Sequence, residues 1–81
     1  MKKTVIITGA TDGIGNALAI LLSREYNLAL CGRSEDKMTQ LIRELGDCHF
    51  YTECFDITDG KRYVQLKCWA EEKGAVGQIN L

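Results

Sequence analysis

The stretch TGATDGIG, residues 8–15, carries glycines at positions 9, 13 and 15, after a β-branched run and before a segment with helical periodicity. In a strand–loop–helix turn each glycine has a backbone task. Gly9 permits a sharp exit from the strand. Gly13 lacks a Cβ where a pyrophosphate must come close, and Gly15 lets the following helix pack tightly on the sheet. The unpaired N–H groups of the helix start then face an anion. The chemistry this pattern suggests is the holding of a nucleotide phosphate. The competing reading is a merely tight turn, and the strand–loop–helix context weighs against it.

Two further groups could act on such a ligand. Gly32 and Arg33 close the second apolar run. An acidic residue there would bond the adenosine ribose and repel a 2′-phosphate, whereas a guanidinium can hold that phosphate with paired, charge-assisted bonds. Arg33 also precedes Ser34, a helix cap, where the helix dipole disfavours a cation unless an anion is bound. Ser34 could add a hydroxyl contact. The alternative is a solvated surface arginine. Asp12, a carboxylate within the glycine loop, points the other way. The second group is YVQLK, residues 63–67, in which Tyr63 and Lys67 share a helix face. The pair resembles the Tyr-x-x-x-Lys proton donor and helper of one large dehydrogenase family. Chance alone supplies such a pair roughly 0.2 times in a chain of this make-up, so the spacing is a weak signal.

The elements that must position these groups belong to a chain of 81 residues with net charge −1. That length suits one small domain of modest stability. Mixed charge gives no reason to expect nucleic acid or an acidic membrane as partner. Four cysteines, Cys31, Cys48, Cys54 and Cys68, include no C-x-x-C pair, and His49 is the one histidine. A zinc site is not indicated, and the cysteines read as small apolar residues kept reduced in a cytosol. His49 reads as a strand-end residue without chemistry. The apolar run Val5–Ile7 is too short for a signal sequence, and no stretch approaches the ~18 apolar residues of a membrane span. The expectation is a soluble, cytoplasmic protein.

Apolar strands are expected over 3–8, 27–31 and 49–55, and helices over 14–25, 34–46 and from Asp59 to about Glu72. Ile14, Ala17, Leu18, Leu21 and Leu22 are expected to form the buried face of the first helix, and Met38, Leu41, Ile42 and Leu45 that of the second. The third should bury Tyr63, Leu66 and Ala70, with Val64 and Cys68 beside them. Residues 74–77 read as a loop and INL, 79–81, as the opening of a fourth strand. This alternation implies a parallel sheet with right-handed crossovers, with ligands outside the carboxyl ends of the strands.

TGATDGIG resembles the Thr-Gly-x-x-x-Gly-x-Gly signature of the classical short-chain dehydrogenases/reductases. LCGRSEDK matches the end of that family's second strand, FDITD resembles its adenine-binding turn, and GQINL its entry to the fourth strand. The resemblance implies an α/β fold, the N-terminal βαβαβα(β) portion of a doubly wound Rossmann-type sheet. Residues 1–81 would form a partial NADP(H)-binding domain, with NADP(H) favoured over NAD(H). The cofactor-binding set it implies is Gly9, Thr11, Asp12, Gly13, Ile14, Gly15, Arg33, Ser34, Asp56 and Ile57. Asp56 would accept from the adenine amino group, beside backbone contacts from Ile57; an Asx-turn or capping role for Asp56 is compatible. The family's catalytic Tyr/Lys pair lies much later, after a catalytic serine. Tyr63 lies in a helix that begins at the ligand edge near Asp59 and runs away from it, and by Lys67 that helix has run about 12 Å from its start. YVQLK is therefore expected to be a decoy, with no catalytic residue in this chain. The resemblance further implies that the chain is the first third of a hydride-transferring enzyme acting on a carbonyl or an alcohol. The alternative is a truncated or vestigial module without activity. Bare strand edges predict self-association.

Overall fold

The computed structural model describes residues 2–55 and 59–81. In chain order the elements are β1 (Thr4–Thr8), α1 (Gly13–Leu22), β2 (Asn27–Gly32), α2 (Glu35–Ile42), β3 (Phe50–Cys54), α3 (Gly60–Glu72) and β4 (Ala75–Asn80). All four strands are parallel and lie in the order β3-β2-β1-β4. This is the Rossmann-type βαβαβα(β) arrangement expected. Thr8 lies opposite both Cys31 and Asn80, so the three strand ends finish level and form one rim.

The central strands β1 and β2 are covered on both faces, and strand alternation sorts their side chains between them. Val5, Ile7, Leu28 and Leu30 point to one face and pack with Ala19 of α1 and Met38 and Leu41 of α2. Ile6, Ala29 and Cys31 point to the other and pack with Leu66 and Ala70 of α3. Central strands buried on both sides read as unbroken apolar runs, and β1 and β2 are buried at every position. Tyr51 of β3 stacks on Trp69 of α3 with ring centroids 5.6 Å apart, which extends the second core toward the sheet edge.

The helix boundaries differ modestly from expectation. α1 ends at Leu22, and the Ser23 hydroxyl donates to the Ile20 carbonyl at 2.6 Å. α2 opens on Ser34, whose Oγ accepts from the Lys37 N–H. It ends at Ile42, and the turn that follows reaches Gly46 with φ 64°. α3 starts as expected, with the Asp59 side chain accepting from the Arg62 N–H.

Three expectations are corrected. Residues 75–77 are not loop: β4 runs from Ala75 and takes its hydrogen bonds from β1, across an irregularity at Thr4/Val5. The expected apolar face of α1 is wrong in part. Ile14 and Leu21 are 71% and 61% exposed, Ala17 is exposed, and the buried positions are Gly15 and Ala19. Close packing of α1 selects its smallest residues for the sheet, a choice that periodicity alone does not reveal. Val64 and Cys68 of α3 face outward, leaving Leu66 and Ala70 as the buried pair with Tyr63 half-buried beside them.

Candidate nucleotide site at the strand rim

The glycine loop takes its shape from its backbone. Gly9 has φ 71°, the left-handed region that a side chain resists, and this turns the chain off β1. A Cβ on Gly15 would run into the Gly9 carbonyl oxygen and come within 3.0 Å of the Ala10 Cα, so α1 can sit this close only with glycine there. The Ala10 N–H donates to the Cys31 carbonyl at 3.0 Å, which ties the loop to β2. Gly13 differs from the other two: a Cβ there would meet nothing within 4 Å, and its φ is not positive. Among the described residues no contact requires glycine at 13.

The start of α1 is left open to solvent. Asp12 is its N-cap residue, yet its carboxylate makes no capping bond and is exposed. The amides of Gly13, Ile14 and Gly15 find no acceptor in the turn among the described residues. Three unpaired donors at the positive end of a helix dipole are a place for an anion.

A cleft of about 300 Å³ lies beside this helix start, at the rim of the sheet. Thr8, Gly9 and Asp12 form one wall, and Cys31, Gly32 and Arg33 the other. Phe55 and Leu81 close the ends. Arg33 is exposed and has no ion pair among the described residues. Phe55 is 7% exposed and its N–H donates to the Gly32 carbonyl at 2.9 Å, which pins the strand ends together. Burial pushes the Cys31 thiol up, opposed by a backbone hydrogen bond with Gly9, so Cys31 stays a neutral wall group.

The structure brings together at this rim Gly9, Asp12 and Arg33, with Gly13 and Ile14 exposed at the adjoining helix start and Gly15 buried beneath. Thr11 is buried against Gly32 and does not line the cleft. The Ser34 Oγ is committed to capping α2 and is also outside the lining. Asp56 and Ile57 lie outside the described residues. Tyr63 is turned elsewhere. Its hydroxyl donates to Gln78 Oε1 at 2.6 Å; Gln78 Nε2 donates to Asn80 Oδ1, which also accepts from Thr8 Oγ1 at 3.0 Å. Lys67 is exposed and takes no part in this chain of bonds.

A family model described as short chain dehydrogenase matches residues 3–81. The chain belongs to the short chain dehydrogenase family. Among curated proteins it is 38% identical over 74 residues to the chloroplastic chlorophyll(ide) b reductase NOL of Oryza sativa subsp. japonica, covering 85% of this chain and 22% of that protein. It is 38% identical over 63 residues to sulfoacetaldehyde reductase 2 of Chromohalobacter salexigens, covering 75% of this chain and 25% of that protein. Among solved structures, a variant of actinorhodin polyketide ketoreductase with NADPH superposes with a TM-score of 0.81 at 24% identity, over 99% of this chain and 33% of the other. The chain thus spans about a quarter of the length of the curated relatives it matches.

Sequence reasoning missed four wall residues of this short chain dehydrogenase cleft, namely Thr8, Cys31, Phe55 and Leu81. Each sits at or just beyond the carboxyl end of a strand. Once the strand order is known, that position is itself the signal. Among the described residues no group of three metal-ligating side chains converges, and no helix is long and apolar enough to cross a membrane.

Proposed function

We propose that this chain is the adenosine- and pyrophosphate-holding portion of an NADP(H)-dependent short-chain dehydrogenase/reductase that interconverts a carbonyl and an alcohol. The observation that carries this reading is the space left free over Gly13 by the described residues, beside three α1 amides unpaired among those residues, next to the cleft that Arg33 lines. A glycine that no contact among the described residues demands fits a position kept clear for a ligand. Gly9 shapes the loop and the Gly13, Ile14 and Gly15 amides hold the pyrophosphate, while Thr11 and Asp12 flank them. Arg33 holds the 2′-phosphate with Ser34 beside it, and Asp56 and Ile57 take the adenine. A relative from Arabidopsis thaliana is named an NADPH-dependent pterin aldehyde reductase, which supports NADP(H) over NAD(H). When bound, the nicotinamide ring supplies or accepts the hydride. The same reading puts the protein in the cytoplasm, where unpaired cysteines stay reduced.

A second reading is favoured by the Tyr63 hydroxyl, which is spent on Gln78. On that reading these 81 residues hold nucleotide but turn nothing over. Titrating the chain with NADPH, NADH and nicotinamide mononucleotide tests the binding claim by calorimetry. NADPH should bind more tightly than NADH, and the mononucleotide, which lacks adenosine, should bind least. Equal affinity for all three would refute it.

A further inference from the structure

The end of β2 and the glycine loop are 21 residues apart in sequence but in direct contact at one point. A Cβ on Gly32 would stand 2.6 Å from Thr11 Oγ1, 2.7 Å from Thr11 Cγ2 and 3.1 Å from Thr11 Cβ. Thr11 is 7% exposed, so it has little room to withdraw. Rotation does not clear the clash. The three staggered positions about the Thr11 Cα–Cβ bond hold two heavy branches, and both branches now crowd position 32. Turning to any other staggered well leaves at least one branch in one of those two places. Nor can the backbone yield freely. The Ala10 N–H is bonded to the Cys31 carbonyl and the Phe55 N–H to the Gly32 carbonyl, so both sides of the contact are tied to the sheet.

We propose that Thr11 is a steric gate on the end of β2, and that Thr11 and Gly32 act as a pair in setting cofactor choice. This rests on the reading of the cleft as a dinucleotide site. A carboxylate at position 32 would bond the ribose of NAD(H) and repel the 2′-phosphate of NADP(H). Thr11 fills the space that such a residue's Cβ needs. While Thr11 holds this place, a side chain at position 32 must displace it, and Arg33 is left as the charged side chain at this wall of the cleft beside the adenosine. Thr11 is thus a positioning residue that acts on selectivity without lining the cleft.

The test uses Gly32→Asp, Thr11→Ala and the double variant in the full chain, with NADPH and NADH titrations and thermal melts. Gly32→Asp alone should melt lower, lose NADPH binding and gain no NADH binding. Adding Thr11→Ala should restore the melting temperature at least in part and raise NADH affinity about ten- to a hundredfold over Gly32→Asp alone. A Gly32→Asp protein that melts like the parent and takes NADH as well as the double variant does would overturn the gate. If no form binds either cofactor, the dinucleotide reading fails, and the gate is judged by Gly32→Ala melts. A smaller loss on the Thr11→Ala background supports the contact, and an equal loss on both backgrounds overturns it. Should Gly32→Asp fail to fold, recovery of a cooperative melt in the double variant supports the gate, and no recovery counts against it.

Discussion

Arg33 and the glycines show how much a single residue type can say. Arg33 stands on the cleft wall with no ion pair among the described residues, a position suited to a 2′-phosphate. A charged hydrogen bond is worth about 1.5–3 kcal/mol, or roughly 10- to 150-fold in affinity. Arg33→Ala should therefore erase most of a preference for NADPH and leave NADH binding nearly intact; calorimetry with both cofactors reads the difference, and equal losses would refute the assignment. The glycines divide by mechanism. Gly15→Ala forces a Cβ into the Gly9 carbonyl and should cost about 1–3 kcal/mol of stability. Gly13→Val meets no atom of the described residues within 4 Å of its Cβ and should leave the fold intact by circular dichroism while weakening both cofactors. Normal binding by folded Gly13→Val would show that the loop is only a turn. The backbone tasks of Gly9 and Gly15 were legible in the sequence because they are local to one turn. The contact of Thr11 with Gly32 was not, because only the pairing of β1 with β2 brings the two together. Asp12 also departs from its usual reading, since a carboxylate at an N-cap position here caps nothing.

At the scale of elements, propensity located the strands and helices but ranked their faces imperfectly. α2 and the start of α3 were legible because their caps are explicit, Ser34 accepting from Lys37 and Asp59 from Arg62. The apolar stripe Ile14, Ala17, Leu18, Leu21 looks like a core face, yet α1 turns Gly15 and Ala19 to the sheet. Helix period says that a stripe exists and not which neighbour it meets. The first half of β4 was hidden for a related reason: it includes Gly77, and its order comes from the β1 partner rather than from its own composition. A pair of truncations measures the distinction. Leu66→Ala, which truncates a side chain of α3 fully buried against the sheet, should cost about 2–5 kcal/mol. Leu21→Ala, at a position 61% exposed, should stay within about 0.5 kcal/mol of the parent. Chemical denaturation reads both, and a large loss at Leu21 would restore the discarded face.

For the whole molecule, what matters is what the sheet leaves uncovered. β1 and β2 are sealed on both faces, while β4 pairs on one side only and is largely exposed along its length. Val76 and Leu81 on or beside that strand are 58% and 53% exposed, and Ile14 and Leu21 of α1 add more bare apolar surface. An unpaired strand edge offers N–H and C=O groups to another chain, and exposed apolar patches favour the same outcome. The isolated 81-residue product should therefore run on a sizing column as oligomers or aggregate; a stable monomer would contradict this. It should also show no NADPH oxidation with a panel of aldehydes and ketones. The cleft contains no poised proton donor among the described residues: Cys31 is held as a thiol by burial, and the Tyr63 hydroxyl is bonded to Gln78, neither residue of that pair lining the cleft. Tyr63→Phe removes one half-exposed hydrogen bond, so its effect on stability should be no more than about 1 kcal/mol. Turnover above background that disappears in Tyr63→Phe would mean that YVQLK is catalytic after all, and that the hydroxyl leaves Gln78 to reach a substrate.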